Sequence, residues 1–155
     1  MSSEGRRTDT VKLSVGAITE RFRESGRKVT PQRVAVFEVL CKRGGHPTVD
    51  QIYREVRKRF PMISLNTVYQ TMEALADMKL VSPVGHGLEA ARYETDPKPH
   101  HHAVCIACKR ITDVFDASLG RVRLPRAVKE QFHVLSHRVE FFGYCTDCQL
   151  STMKD

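Results

Sequence analysis

Two pairs of cysteines constrain the fold of this chain more than any other feature of its sequence. Cys105 and Cys108 form one C-x-x-C motif, Cys145 and Cys148 form another, and 36 residues separate the two motifs. Four thiolates at this spacing can close a tetrahedral zinc site that leaves no position free for a substrate. We therefore expect a structural zinc ion, with a strand, a helix and a strand between the two motifs.

The cysteines also bear on the compartment in which the protein works. No apolar run approaches the ~18 residues of a membrane span, and the first residues lack the pattern of a signal peptide. We expect a cytoplasmic protein without membrane contact, where paired C-x-x-C motifs indicate a metal before a disulfide. The fifth cysteine, Cys41, lies in an apolar helical stretch and is expected to be an ordinary core residue.

Positive charge is concentrated in the first half of the chain. The net charge is +7, and residues 1–80 carry six of these seven excess positive charges. This asymmetry favours a polyanionic partner for the first half, with a solvated basic surface as the alternative.

Capping signals divide the first half into short helices. Thr30 before Pro31 is typical of a helix start, and Thr48 with Gln51 has the form of a capping box. Glycines such as Gly26 follow the predicted helix ends. Further helices are predicted from residue 14 to about 25 and from residue 64 to about 79.

The last of these four helices carries different chemistry on its two sides. Helical spacing predicts a buried stripe of Leu65, Val68, Met72, Leu75 and Ala76. The opposite face is predicted to hold Asn66, Thr67, Gln70, Thr71 and Ala74, with Tyr69 at its edge. Uncharged amides and hydroxyls suit a helix that enters the major groove of DNA, although Glu73 does not fit this pattern.

Residues 80–85 and 91–95 flank a Gly-His-Gly turn and are predicted to form a two-stranded wing. Helices followed by such a hairpin indicate a winged helix-turn-helix, with a purely structural helical bundle as the alternative. Residues 96–99 contain two prolines and can neither extend a strand nor start a helix. We therefore predict a DNA-binding domain at 1–95 and a second domain at 96–155.

The second domain is predicted to be a small α+β unit. Strands are expected at 103–105 and 110–115, a short helix at 124–131, and a long strand at 132–142. Such a unit would be marginally stable alone, so both a metal ion and an oligomer interface would support it.

A second group of possible metal ligands lies near the domain boundary. In an extended segment His100 and His102 point to one side and His101 to the other. Asp113 falls on the predicted apolar face of its strand, and Glu94 ends the predicted wing. A pair of histidines with a carboxylate on either side indicates a second metal site.

Five short motifs occur in a characteristic order along the chain. They are His46-Pro47-Thr48, Asn66-Thr67-Val68-Tyr69, Arg92-Tyr93-Glu94, His100-x-His102-x-x-Cys105-x-x-Cys108 and Cys145-x-x-Cys148. In order and spacing they resemble the ferric uptake regulator family, from about residue 14 to residue 148. The resemblance implies a homodimeric, metal-dependent transcriptional repressor with an N-terminal winged helix and a C-terminal dimerisation domain, hence an α+β fold.

The resemblance also implies which residues act. The regulatory site is expected at His46, Glu94, His100, His102 and Asp113. Nitrogen and oxygen ligands suit Fe(II) or Mn(II). An ion held by both domains would set the distance between the two helices that read DNA, one in each subunit of the dimer. The expected partner is double-stranded DNA, an AT-rich inverted-repeat operator contacted through Asn66, Thr67, Tyr69 and Gln70.

The carboxylate ligands distinguish subtypes within this family. Peroxide-sensing members usually have aspartate at both positions and iron sensors glutamate, whereas this chain combines Glu94 with Asp113. Asp113 favours peroxide sensing, in which iron catalyses oxidation of His46 or His100. The alternative is an iron- or manganese-responsive repressor of metal uptake, and a further site involving His101 and His137 stays open.

Two other classes of function compete with this interpretation. The C-x-x-C motifs could belong to a thiol oxidoreductase or the histidines to a zinc hydrolase, but no H-E-x-x-H or deaminase-type motif is present. We therefore predict that the protein is not an enzyme. A zinc-stabilised interaction module without a sensing role is the remaining alternative.

Overall fold

The structure, a computed structural model, describes residues 14–96 and 98–152. The chain divides into two compact units, one within Met1–Pro97 and the other within Lys98–Asp155. The first 13 residues of the predicted DNA-binding domain lie outside the described residues. In the described part of the chain, no helix is both long enough and apolar enough to cross a membrane.

The first unit begins with four helices, each started by a capping side chain. They are α1 (Val15–Glu24), α2 (Pro31–Arg43), α3 (Val49–Arg59) and α4 (Leu65–Asp77). Ser14, Thr30, Thr48 and Ser64 each accept a hydrogen bond from the backbone N–H three residues later. The predicted capping box is confirmed, because the Gln51 side chain also accepts from the Thr48 N–H at 3.0 Å. Such caps each stabilise a helix by about 1 kcal/mol.

The helices of the first unit surround one hydrophobic core. Its largest fully buried members come from all four helices: Ile18, Phe22, Leu40, Ile52, Met72 and Leu75. The first unit supplies 17 of the 19 buried hydrophobic residues among the described residues. This core holds α4 in place and leaves its other side accessible.

The predicted faces of α4 are partly wrong. Val68, Met72 and Leu75 are buried as predicted, but Thr71 and Ala74, expected on the outer face, are buried as well. The Thr71 hydroxyl donates to the Thr67 carbonyl at 2.7 Å, so its polar group is satisfied inside the core. The exposed face is therefore narrower than predicted.

A two-stranded wing follows α4. Strands β1 (Ser82–Val84) and β2 (Arg92–Glu94) pair antiparallel, with Ser82 opposite Glu94. Residues 85–91 connect them, a longer loop than the predicted Gly-His-Gly turn. The segment before α3 lies along the outer side of β2, because the Tyr93 N–H donates to the Pro47 carbonyl at 3.1 Å.

The second unit contains a three-stranded sheet. Its elements are β3 (His101–Cys105), β4 (Ile111–Val114), a 3-10 turn (Leu119–Arg121), α5 (Arg126–Gln131), β5 (Glu140–Gly143) and α6 (Thr146–Thr152). The sheet order is β4-β3-β5, in which β3 is antiparallel to β4 and parallel to β5.

One prediction for the second unit is wrong, and one of its helices was missed. The strand predicted at 132–142 is shorter in the structure, where it comprises only β5. The reason is that its partner β3 pairs through four residues, His102–Cys105, which are opposite Glu140–Gly143. Helix α6 was not predicted. Val104 and Cys105 are the buried hydrophobic residues of this unit among those described, so its apolar core is very small.

Candidate metal centres

The four paired cysteines converge at one end of the sheet in the second unit. Their sulfur atoms all lie within 4.8 Å of one another, and Cys108 Sγ is 3.8 Å from Cys145 Sγ. Four sulfurs placed tetrahedrally at a Zn–S distance of about 2.3 Å are about 3.8 Å apart. The cluster therefore has the dimensions of a zinc site.

Strand pairing brings the two motifs together. Cys105 is opposite Gly143 in the parallel β3–β5 ladder, so Cys145 follows two residues beyond the point of pairing. The Cys145 N–H lies 3.4 Å from the Cys105 sulfur and donates to it. Just outside the cluster, Arg110 and Asp147 form an exposed ion pair at 3.0 Å.

Hydrogen bonds favour the metal-binding form of one thiol, that of Cys105. Backbone N–H groups of Cys145 and Cys108 donate to the Cys105 sulfur and lower its pKa to about 6. This favours the thiolate, which is the form that binds metal. Burial instead raises the pKa of Cys41 to about 11, and Cys41 packs against the core of the first unit, apart from the cluster.

Three other ligand atoms of the second unit face one another. His100 Nε2 is 3.1 Å from His102 Nε2, and Asp113 Oδ1 lies 3.6 Å and 3.7 Å from these two nitrogens. A circle through the three atoms has a radius of about 2.0 Å, so one ion fits at a normal bond length from all three. Two histidines and one carboxylate are a ligand set that would suit Fe(II).

The sheet explains this convergence. His102 is opposite Asp113 in the β3–β4 ladder. His101 faces elsewhere, because its Nδ1 accepts the Val139 N–H at 3.0 Å. The predicted alternation of the three histidines is therefore confirmed. Burial lowers the pKa of His101, which favours the neutral ring that can accept this bond.

The remaining two predicted ligands lie together in the first unit. His46 Nε2 is 3.4 Å from Glu94 Oε2, and the two side chains are 9% and 7% exposed. The pairing of the segment before α3 with β2 places them side by side, and Arg92 donates to the His46 carbonyl at 3.1 Å. A buried histidine beside a carboxylate is a suitable pair of metal ligands.

The predicted DNA-contacting residues of α4 differ in their exposure. Asn66 and Gln70 are exposed, and Tyr69 is 44% exposed. Thr67 is less exposed than these three residues, and its hydroxyl is 2.8 Å from the hydroxyl of Ser64, which caps the helix. The face available to a partner therefore consists mainly of Asn66, Tyr69 and Gln70.

The ferric uptake regulator family matches this chain over residues 24–142. The chain belongs to the ferric uptake regulator family. The peroxide operon regulator of Bacillus subtilis (strain 168) is 34% identical over 129 residues, which cover 83% of this chain and 89% of that protein. The peroxide-responsive repressor PerR of Staphylococcus saprophyticus is 33% identical over 128 residues, covering 83% and 86%.

A solved structure supports the same assignment. The ferric uptake regulator Fur of Helicobacter pylori, described as having three functional metal binding sites, matches with a TM-score of 0.75 at 25% identity, covering 88% of this chain and 95% of that one. The predicted fold, a winged helix-turn-helix followed by a small α+β domain, is thereby confirmed.

Membership in the ferric uptake regulator family also settles the class of function. The chain is a metal-dependent transcriptional repressor that binds DNA as a dimer, and not an enzyme. Its cofactors are a structural zinc ion and a regulatory Fe(II) or Mn(II) ion.

Proposed function

We propose that this repressor senses hydrogen peroxide through one regulatory ion bound by five residues. The ligands in this proposal are His46, Glu94, His100, His102 and Asp113. The four cysteines, Cys105, Cys108, Cys145 and Cys148, hold zinc and take no part in sensing.

The observation that carries the proposal is the group formed by His100, His102 and Asp113. Two imidazole nitrogens and one carboxylate oxygen would fill only part of the coordination sphere of Fe(II), so further ligands and peroxide could bind as well. His46 and Glu94 are the proposed ligands from the first unit, since their side chains already lie 3.4 Å apart.

Ligands from both units would couple the metal to DNA binding. We assign residues 1–95 to DNA binding and 96–155 to dimerisation. An ion that joins the two domains favours one arrangement of the two α4 helices in the dimer, and by linkage operator DNA favours the metal-bound form. Asn66, Thr67, Tyr69 and Gln70 are the proposed contacts with an AT-rich inverted repeat, and the protein acts in the cytoplasm, beside the chromosome.

The peroxide response would alter a ligand of the regulatory ion. Fe(II) held by these ligands would supply the activation of hydrogen peroxide next to them. In the net reaction His46 or His100 gains one oxygen atom on a ring carbon, and the other peroxide oxygen leaves as water. The altered imidazole binds metal poorly, so the two domains are no longer joined and repression ends. Zinc-bound cysteines would be spared, because they are weaker nucleophiles than free thiolates.

Glu94 favours a second candidate, an iron- or manganese-responsive repressor without peroxide chemistry. Mass spectrometry of iron-loaded and manganese-loaded protein after equal peroxide exposure separates the two functions. We expect one added oxygen on His46 or His100 in the iron form only, reduced by Asp113→Glu, together with loss of operator binding. Unmodified histidines and intact DNA binding in the iron form would support the second candidate.

A further inference from the structure

His100 is held in a different way from the other two ligands in its unit. His102 and Asp113 are opposite each other in the β3–β4 ladder, which positions both backbones. His100 precedes β3, which begins at His101. The orientation of its ring therefore depends on contacts of the side chain.

One of these contacts determines which nitrogen faces the ion. His100 Nδ1 lies 2.7 Å from the carbonyl oxygen of Lys98. A carbonyl can only accept, so Nδ1 carries the proton and donates, and Nε2 keeps its lone pair for a metal. A single hydrogen bond still allows the ring to turn about the N–H···O direction.

A second contact restricts this turning. The Phe115 ring is stacked on the His100 ring, with centroids 5.0 Å apart and an angle of 25° between the planes. This is within the range of favourable offset stacking. Asp113 and Phe115 are two residues apart in one extended segment, so both side chains point to the same side. One short segment thus supplies the carboxylate ligand and the stacking ring.

The exposure of the two rings is very different. His100 is 8% exposed, whereas Phe115 is 60% exposed. Phe115 therefore does not serve as a core residue. It also lines an open hollow of about 520 Å³ together with Pro99, His101 and Asp116, and removing its ring would extend this hollow toward His100.

We propose that Phe115 is a positioning residue for the regulatory ion, because its ring holds the His100 imidazole in the plane that directs Nε2 at the metal. The inference rests on the proposed role of His100 as a ligand. Phe115 would raise metal affinity without touching the ion, as do other residues that orient metal-bound histidines.

The test uses the full chain with its zinc in place and its regulatory ion removed by mild chelation. Mn(II) is titrated in, and free Mn(II) is measured by electron paramagnetic resonance. Phe115→Ala and Phe115→Leu should weaken Mn(II) binding by about 3- to 10-fold, the usual value of one aromatic pair. Phe115→Tyr keeps the stacking and should bind within about 2-fold of the original protein. Phe132→Ala, which removes a 66% exposed phenylalanine from the same unit, should leave Mn(II) affinity unchanged.

A second measurement reports the contact without any regulatory metal. In nuclear magnetic resonance spectra of the zinc-containing protein, the carbon-bound protons of His100 should be shifted by the ring current of Phe115. The shift should persist in Phe115→Tyr and disappear in Phe115→Leu, which keeps an apolar side chain and therefore the fold.

His100→Ala separates failure of this inference from failure of the proposed function. If His100→Ala leaves Mn(II) affinity unchanged, His100 is not a ligand. Both the proposed regulatory site and the proposed role of Phe115 are then refuted. If His100→Ala abolishes binding but Phe115→Leu matches the original protein, the regulatory site stands and the role of Phe115 is refuted. Equal weakening by Phe115→Leu, Phe115→Tyr and Phe132→Ala would also refute it, because stacking would then be irrelevant.

Discussion

Replacing Cys105 by serine should unfold the second unit and leave the first unit folded. The substitution removes one of the four sulfurs of the zinc cluster. The two units differ in the size of their hydrophobic cores, because 17 of the 19 buried hydrophobic residues among those described belong to the first unit. The second unit contributes Val104 and Cys105 among the described residues.

The expected magnitude follows from this difference. Structural zinc contributes roughly 10–16 kcal/mol of binding free energy, and that free energy is also folding free energy. Losing one of four ligands removes about a quarter of it, roughly 2.5–4 kcal/mol. Burial of Val104 contributes roughly 1.5–3 kcal/mol. The lost zinc ligation is therefore about as large as, or larger than, the contribution of the remaining apolar core of this unit.

Hydrogen exchange followed by mass spectrometry, with zinc analysis of the same samples, measures the effect. Peptides from β3 and β5 should lose protection in Cys105→Ser, peptides from α2 and α4 should keep it, and the dimer should dissociate in sedimentation. Cys41→Ser is the matched control, since it makes the same chemical change away from the cluster. If Cys105→Ser retains stoichiometric zinc and a protected β3, the cluster is not what holds the second unit together.

Three further predictions concern the first unit. Gln70→Ala should relax base preference by roughly 1–3 kcal/mol in anisotropy titrations at fixed salt, and an unchanged ranking of operator variants would contradict the outward orientation of this side chain. The Arg21 guanidinium donates to the Met78 carbonyl at the end of α4 at 3.0 Å. Arg21→Ala should therefore lower the unfolding free energy in urea by about 1–2 kcal/mol. Arg23→Ala removes an arginine that is exposed like Arg21 but makes no bond to this carbonyl, and it should change the free energy by less than about 0.5 kcal/mol. An equal loss in both variants would contradict the role of Arg21 at the end of α4. Since the pKa of Cys41 is about 11, about one thiol in a thousand is ionised at pH 8. Iodoacetamide should then label Cys41 slowly in the native protein and rapidly in urea, and fast native labelling would refute its burial.

Local signals predicted the helices of the first unit well. A capping hydroxyl such as that of Thr48 acts on a backbone group only three residues away, so its effect can be read from a short stretch of sequence. The cysteine motifs were predictable for a related reason, because a metal demands particular ligand types at particular spacings.

The errors arise where contacts distant in sequence decide the outcome. Helical spacing predicted Thr71 on the outer face of α4, but the packing of the other helices against α4 buries it completely. Its hydroxyl is satisfied there by the Thr67 carbonyl. Residues 132–139 include residues that are common in strands, such as Phe132 and Val134. A strand forms only where another strand pairs with it, however, and this limits β5 to Glu140–Gly143.

The candidate metal site was predictable only in part. His100, His102 and Asp113 follow from alternation along neighbouring strands. His46 is far from them in sequence and was inferred from the resemblance alone. Its place beside Glu94 depends on the pairing of the segment before α3 with β2, which no local pattern indicates. No role was predicted for Phe115, although its position two residues after a ligand was the available signal.

The parallel pairing of β3 with β5 has a consequence for the order of events during synthesis. The 40 residues from Cys105 to Cys145 take roughly 2–8 s to make at 5–20 residues per second. The first unit can fold in that time, since its core is complete before β3 is made. Until β5 is made, β3 lacks its parallel partner. During this time the thiols of Cys105 and Cys108 can bind a zinc ion without the other two ligands. Zinc supply during this interval should therefore influence how much nascent chain reaches the folded state.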